Sequence, residues 1–154
     1  MKKIYLLLFS LLFTFYSCDK TSSAYYKVYD NFESNRWQKP DKKEFAFSIT
    51  DEAAYDVTLK FSHVSDYQFD SVPMLVLIVD PDGKEEKFPI DLKIKDASGK
   101  QLAECAGDVC DLNYNIKKNV NLPKGDYKVT VSHNFNGPYL PNILGIGLDV
   151  KQSK

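Results

Sequence analysis

The sequence predicts an all-β fold, an antiparallel sandwich of two sheets, on three observations. Polar and apolar residues alternate in several short runs, which is the pattern of strands that are buried on one face. Turn-forming residues separate these runs, and no window longer than about ten residues in the body of the chain shows a helical period. Many short strands with turns between them favour a two-sheet sandwich, wired either as an immunoglobulin-like fold or as a jelly roll.

Alternation identifies the individual strands. In residues 55–62, Tyr55, Val57, Leu59 and Phe61 fall on one face of an extended chain, and polar residues fall on the other. The same alternation recurs in three further runs. Their apolar residues are Phe45, Phe47 and Ile49; Tyr127, Val129 and Val131; and Ile146, Leu148 and Val150.

One run is apolar at every position. Residues 74–79 (MLVLIV) contain no polar side chain, so alternation gives no exposed face. A continuous apolar run of this length is typical of a central strand, and we expect it to be covered on both sides.

Turn chemistry marks the ends of these strands. Residues 80–83 (DPDG) place a proline where φ must be near −65° and a glycine where φ must be positive, which predicts a hairpin turn. Residues 96–99 (DASG) form a second turn signal, after the short run 92–94. Residues 122–126 (LPKGD) form a third, just before the strand of Tyr127.

The amino terminus has the layout of a secretory signal. Lys2 and Lys3 precede residues 4–16, which carry no charge. This apolar run is shorter than the roughly 20 residues that a spanning helix needs, so we expect it to be removed.

Residues 15–18 (FYSC) resemble the lipobox of bacterial lipoproteins. In such signals the cysteine thiol is acylated and the chain is cut just before it, which would make Cys18 the first mature residue. The chain then divides into a signal peptide at residues 1–17, an acylated cysteine and polar tether at residues 18–24, and one sandwich domain at residues 25–151. Several acyl chains on Cys18 would hold the domain at a membrane outside the cytoplasm.

Charge argues against nucleic acid as a partner. The whole chain has a net charge of −1, and removal of Lys2 and Lys3 with the signal shifts it to −3. Nucleic-acid-binding domains show a basic stripe or a high pI instead.

Two further cysteines, Cys105 and Cys110, flank a short segment that contains Gly107 and Asp108. Outside the cytoplasm an even pair favours a disulfide, and a tight hairpin could bring the two α-carbons within bridging range. The alternative is two free buried thiols. A zinc site is disfavoured because no second Cys or His pair lies at zinc spacing.

No catalytic or cofactor motif can be assembled from the sequence. The phosphate loop, the G-x-S-x-G elbow and the H-E-x-x-H motif are absent from it, so we expect neither an enzyme nor a cofactor. His63 and His133 each follow an alternating strand, and His63 with Asp66 and Asp70 could hold a metal. The favoured interpretation is that both histidines are solvated at loop mouths, with no metal site.

Aromatic residues supply the candidate contact sites. Arg36 and Trp37 are the only arginine and the only tryptophan. Trp37 either plugs the core, which we favour, or anchors a partner together with Arg36. Four rings in loop contexts could stack against sugars or close the ends of the core. They are Tyr67, Phe69, Phe135 and Tyr139.

The order of landmarks along the chain resembles the gliding-motility lipoproteins of the GldH type. The likeness covers most of the chain after Cys18, as well as the signal. Its landmarks are Trp37, residues 45–51 (FAFSITD), 55–59 (YDVTL), 67–69 (YQF), 92–99 (LKIKDASG), 125–131 (GDYKVTV) and 143–150 (ILGIGLDV).

The resemblance implies a lipoprotein of the Bacteroidetes cell envelope that is an accessory of the gliding apparatus and its associated secretion system, with envelope proteins as partners and no catalytic residues. The rival hypothesis is a surface lipoprotein that binds carbohydrate through exposed aromatic rings. A small-molecule ligand is disfavoured.

Overall fold

The structure is a computed structural model that describes residues 23–154. The expected signal peptide, Cys18 and most of the expected tether therefore lie outside the described residues. β1 begins at Ser23, slightly before the expected start of the domain, and β11 ends at Gln152, just after its expected end. Beyond β11, the backbone N–H of Ser153 donates to the carbonyl of Ala54 at 2.8 Å.

The described residues form an all-β protein, as the sequence predicts. In chain order the elements are β1 (Ser23–Tyr29), a 3-10 helix (Glu33–Asn35), β2 (Arg36–Gln38), β3 (Lys43–Ile49), β4 (Ala53–Val64), β5 (Ser71–Val79), β6 (Glu85–Lys93), β7 (Glu104–Ala106), β8 (Val109–Leu122), β9 (Gly125–His133), β10 (Tyr139–Pro141) and β11 (Ile143–Gln152). Eight of the strands have seven or more residues, and β2, β7 and β10 have three each.

The strands form two main sheets and a small ribbon. The first sheet has the order β1-β11-β4-β8-β7, the second has the order β3-β9-β5-β6, and β10 pairs with β2. Counted one to eight along the chain, the long strands run 1-8-3-6 in the first sheet and 2-7-4-5 in the second. This is the wiring of a jelly roll, so the strand order decides between the two wirings that the sequence left open.

The core lies between the inner faces of the two sheets. In β3 and β4 every alternate residue predicted to face inward is buried. An aromatic ladder crosses from one sheet to the other, because Tyr25 of β1 stacks on Phe47 of β3 at 5.2 Å and Phe47 stacks on Tyr127 of β9 at 5.4 Å. Such rings bury large areas of apolar surface and fix the distance between the sheets.

The expectation that residues 74–79 are covered on both faces is wrong. β5 lies inside its sheet between β9 and β6, and Met74, Val76 and Ile78 are buried in the core. Leu75 and Leu77 lie on the other face and are only half-buried, since no further layer of the described residues covers them. An apolar run therefore shows here that the strand is central in its sheet, without showing that both faces are covered.

Two of the predicted turns have the same aspartate-based construction. Gly83 adopts φ +78° and its N–H donates to the carbonyl of Asp80 at 2.9 Å. The Asp80 carboxylate accepts the N–H groups of Asp82 and Lys84. Asp96 accepts the N–H groups of Ser98 and Lys100 in the same way, beside Gly99 at φ +82°. The glycines are required because positive φ strains other residues.

Candidate functional site

Trp37 closes one end of the sandwich from within. Its side chain is completely buried, and its indole N–H donates to the carbonyl of Asp41 at 2.6 Å. The ring packs against His133 of β9 at 4.9 Å and against Phe32 at 6.1 Å. A ring with no exposed surface has nothing to offer a partner, so its position supports the core-plug interpretation.

Arg36, the neighbour of Trp37, is exposed. Its guanidinium lies 4.7 Å from the ring centre of the half-buried Tyr139, across the β2–β10 ribbon. Alternation along β2 explains the difference, because neighbouring residues on a strand point to opposite faces. The Arg36–Tyr139 pair is thus the accessible part of this region.

Of the two roles left open for Tyr67, the structure supports closure of the core and not stacking against a sugar. Tyr67 is completely buried, lies edge-on to Phe61 at 6.0 Å, and donates its hydroxyl to the carbonyl of Pro141 at 3.2 Å. Burial raises the pKa of its phenol. The residue follows the turn after β4, and the chain folds back there so that the ring enters the core.

Phe69 and Phe135 are half-buried and touch each other. Their ring centres are 4.9 Å apart and their planes are tilted by 58°. Phe69 also contacts the buried Tyr67 at 5.5 Å, so the pair continues the core outward. The two rings do not form the flat platform that stacking on a sugar requires.

Both histidines are core residues, and the expectation that they are solvated is wrong. The exposed fraction is 0% for His63 and 2% for His133. His63 Nδ1 donates to the carbonyl of Val64 at 2.8 Å, and His133 Nε2 donates to the carbonyl of Trp37 at 3.0 Å. Burial lowers the pKa of both imidazoles. Each follows a buried residue at i−2, Phe61 or Val131, so alternation alone would have placed them inside.

The three residues considered for a metal site do not form one. Asp66 and Asp70 are exposed, whereas His63 is buried, and Asp70 pairs with the ammonium of Lys95 at 3.2 Å. Within residues 23–154 no three His, Cys, Asp or Glu side chains are grouped closely enough to bind a metal ion.

Cys105 and Cys110 lie opposite each other in the β7–β8 hairpin and are joined by a disulfide in the structure. Gly107 adopts φ +62° in the turn between them. Cys105 is exposed, and Cys110 is completely buried beside His63, its partner across the β4–β8 ladder.

A cleft of about 230 Å³ opens between the two sheets. Six apolar side chains from both sheets line it: Phe47, Val57, Ile78, Leu122, Tyr127 and Val129. Polar residues and one proline complete the lining: Asp80, Lys84, Glu86, Lys117, Asn121 and Pro123. An apolar pocket with a few polar groups converging on it is the usual form of a binding site.

An irregularity in β8 places a lysine at this cleft. The β4–β8 register shifts on both sides of Val57, so that Val57 pairs with Lys117 while Tyr55 pairs with Val120. Lys118 and Asn119 are left out of the pairing, and Asn119 adopts φ +52°. Bulges of this kind redirect side chains and are frequent beside functional sites. Lys117 therefore lies opposite an inward-facing valine and reaches the space between the sheets.

An ion pair crosses the cleft. The Lys117 ammonium contacts the Glu86 carboxylate at 2.5 Å, which joins β8 of one sheet to β6 of the other. The same ammonium lies 5.2 Å from the ring centre of Phe88. Since Lys117 is only partly exposed, the pair is screened less than an ordinary surface pair.

The electrostatic surroundings of the cleft are acidic. Burial raises the pKa of Tyr127, and the nearby carboxylates of Asp80, Asp82 and Glu52 raise it further. Glu52 also accepts a hydrogen bond from the amide of Asn121, a residue of the lining, at 3.0 Å. The lining itself holds two carboxylates and two ammonium groups, and the charged groups that raise the pKa of Tyr127 beside it are all carboxylates.

Sequence reasoning missed this cleft. The sequence places five of its six apolar residues on buried strand faces and Leu122 in a turn, and all six are buried in the structure. The one signal in the sequence is the pair Lys117–Lys118, which interrupts the alternation of β8. The register shift that turns Lys117 inward depends on pairing with β4, and no local pattern contains that information.

The described part of the chain has no helix that is long and apolar enough to cross a bilayer. The geometry defines a class of protein, an all-β jelly-roll module with a small interior cleft.

The chain belongs to the GldH lipoprotein family, because the sequence model of that family matches residues 24–150. It is therefore a lipoprotein of the gliding-motility type, and membership implies association with a membrane through a lipid anchor. A comparison with curated proteins gave no match.

Some solved structures are distantly similar. A VP2 subviral particle of infectious bursal disease virus aligns with 85% of this chain and 34% of its own chain, at 15% identity and a TM-score of 0.38. TmCBM61 in complex with beta-1,4-galactotriose aligns with 87% of this chain and 81% of its own, at 15% identity and a TM-score of 0.31. The chain spans about a third of the length of the viral chains. These likenesses carry no argument about function.

Proposed function

We propose that this lipoprotein is a non-enzymatic, structural component of the gliding-motility apparatus or its associated secretion system. It would be anchored through acylated Cys18 to a membrane of the cell envelope and would act by contact with other envelope proteins. The observation that carries this proposal is the family match over residues 24–150.

The distribution of polar groups supports contact rather than turnover. Within residues 23–154 the two histidines, which are the most common general bases, are buried and hydrogen-bonded to backbone carbonyls. Two carboxylates with lowered pKa values, Asp56 and Asp96, each accept hydrogen bonds from backbone N–H groups and from a serine hydroxyl. These groups stabilise the fold.

The short distance between the predicted anchor and the domain also supports the proposal. Only residues 19–22 separate Cys18 from β1, and an extended chain spans at most about 3.6 Å per residue. The start of β1 would then lie within about 18 Å of Cys18, so the near side of the domain could contact neighbouring membrane-bound proteins.

The carbohydrate-binding hypothesis has less support. Of the four rings proposed for it, Tyr67 is buried, and the half-buried Phe69 and Phe135 are tilted against each other. Tyr139 is already covered on one side by Arg36.

An in-frame deletion in the native host tests the proposed function. We expect the deletion strain to lose colony spreading and secretion of the cargo of the associated system, and a plasmid copy of the full chain to restore both. A deletion strain that spreads and secretes like its parent would refute the proposal.

A further inference from the structure

We propose that the cleft between the sheets receives one large apolar side chain from a basic segment of a partner protein. The inference rests on the proposed function in one respect, namely that the chain acts by contact with other envelope proteins. Three features of the cleft specify the occupant.

The first feature is size. The cleft measures about 230 Å³. An apolar cavity of about 150 Å³ accommodates benzene, whereas pockets for drug-sized ligands begin near 300 Å³. The space therefore fits a single side chain such as leucine, phenylalanine or tryptophan. Its lining suits such a group, because apolar side chains from both sheets, among them Val57, Tyr127 and Val129, surround the space.

The second feature is charge. The lining itself is balanced, with Asp80 and Glu86 against Lys84 and Lys117, and Glu52 and Asp82 beside it add two further carboxylates. Lys117 is already paired with Glu86. The remaining carboxylates favour a partner with lysine or arginine next to its apolar side chain, because complementary charges at the rim of an interface guide association.

The third feature is the position of the opening. Glu86 belongs to β6, an edge strand of its sheet, and Lys117 belongs to the part of β8 that β7 does not cover. An incoming basic side chain could take the place of Lys117 at Glu86 and leave the Lys117 ammonium over the ring of Phe88. Anchoring of one large side chain in a pocket with a polar rim is the usual organisation of an interface hot spot.

Photo-crosslinking in living cells tests this proposal. The full chain is produced in the native host with p-benzoylphenylalanine at Asn121, on the rim of the cleft, or at Lys93, an exposed control on β6. We expect a crosslink from Asn121 and none of the same size from Lys93. Mass spectrometry should map the crosslink to a partner peptide with an apolar side chain beside lysine or arginine.

Two variants identify the cleft as the binding site. Val57→Phe fills the apolar space, and Asp82→Lys reverses an exposed rim charge without touching the core. Each should lower the crosslink yield from Asn121, and Asp82→Lys should do so by about threefold, the range of an exposed ion pair. Asp108→Lys, the same charge change in the β7–β8 turn, should leave the yield unchanged.

Three results would overturn the proposal. The first is the absence of a crosslink from Asn121. The second is a crosslinked peptide that is acidic, or that has no apolar side chain. The third is a crosslink yield that neither Val57→Phe nor Asp82→Lys lowers. Failure here is distinct from failure of the proposed function. A deletion strain that cannot glide, combined with no crosslink from Asn121, refutes the cleft proposal alone.

Discussion

At the residue scale, two neighbours on β2 show how alternation separates structure from surface. Trp37 is buried against His133 and Phe32, while Arg36 lies outside on Tyr139.

The two histidines show that residue type alone does not predict burial. Histidine is commonly part exposed, which predicts solvated side chains at strand ends, yet the strand period places both inside.

Replacement of Trp37 by alanine should be strongly destabilising. It removes a completely buried ring and its hydrogen bond to Asp41, and large aromatic-to-alanine changes in a core cost about 3–5 kcal/mol. Arg36→Ala is the matched control, with an expected cost below about 1 kcal/mol for an exposed cation–π contact. Urea unfolding measures both, and equal costs for the two variants would contradict the core-plug role of Trp37.

The buried histidines should make the protein less stable in mild acid. Burial lowers the pKa of His63 and His133 in the folded state, so below about pH 6.5 the unfolded chain binds more protons than the native one. This contribution is therefore complete above about pH 6.5 and is lost as the pH falls towards the lowered folded-state values.

Unfolding by urea at about pH 7.5, 6.5 and 5.5 measures this loss. In the His63→Gln, His133→Gln double variant, the decrease in the free energy of unfolding between the highest and lowest pH should be smaller than in the parent protein. An identical decrease in both proteins would show that other groups cause it.

At the element scale, the strands and turns could be predicted because their signals are local. Alternation defines β3, β4, β9 and β11, and aspartate–glycine turns fix the β5–β6 connection. What depends on pairing could not be predicted. The register shift around Val57, which turns Lys117 inward, depends on how β8 pairs with β4. The uncovered outer face of β5 depends on how the two sheets stack.

The packing of β1 on β11 gives an element-scale prediction. A Cβ added at Gly147 would lie 2.8 Å from the Val28 side chain and 3.1 Å from the backbone carbonyl of Lys27. Gly147→Ala should therefore destabilise the protein by about 1–3 kcal/mol, as overpacking typically does.

Two variants control this prediction. Val28→Ala should restore part of the stability lost in Gly147→Ala, because it removes the closest contact of the added Cβ. Gly145→Ala should cost less, since its nearest neighbours are side-chain atoms of Ser62 at 3.2 Å. Thermal unfolding of these variants and of the parent protein measures the differences in stability. A Gly147→Ala protein as stable as its parent would contradict the close approach of β1 and β11.

At the scale of the whole molecule, we propose that a lipid on Cys18 and a short tether hold a jelly roll with a small cleft at the membrane. The family and the fold class could be identified from the order of landmarks and from the strand pattern. The jelly-roll wiring could not, because it depends on strand order, which has no local signal in the sequence. The cleft depends on that wiring, since it needs β6 and β8 to lie across from each other.

The mass of the amino-terminal peptide of the mature protein, isolated from native membranes, shows directly whether the domain is anchored through Cys18. We expect a peptide that begins at Cys18 and carries the added mass of several acyl chains. A peptide with an unmodified Cys18 thiol, or one that still contains residues 1–17, would contradict it.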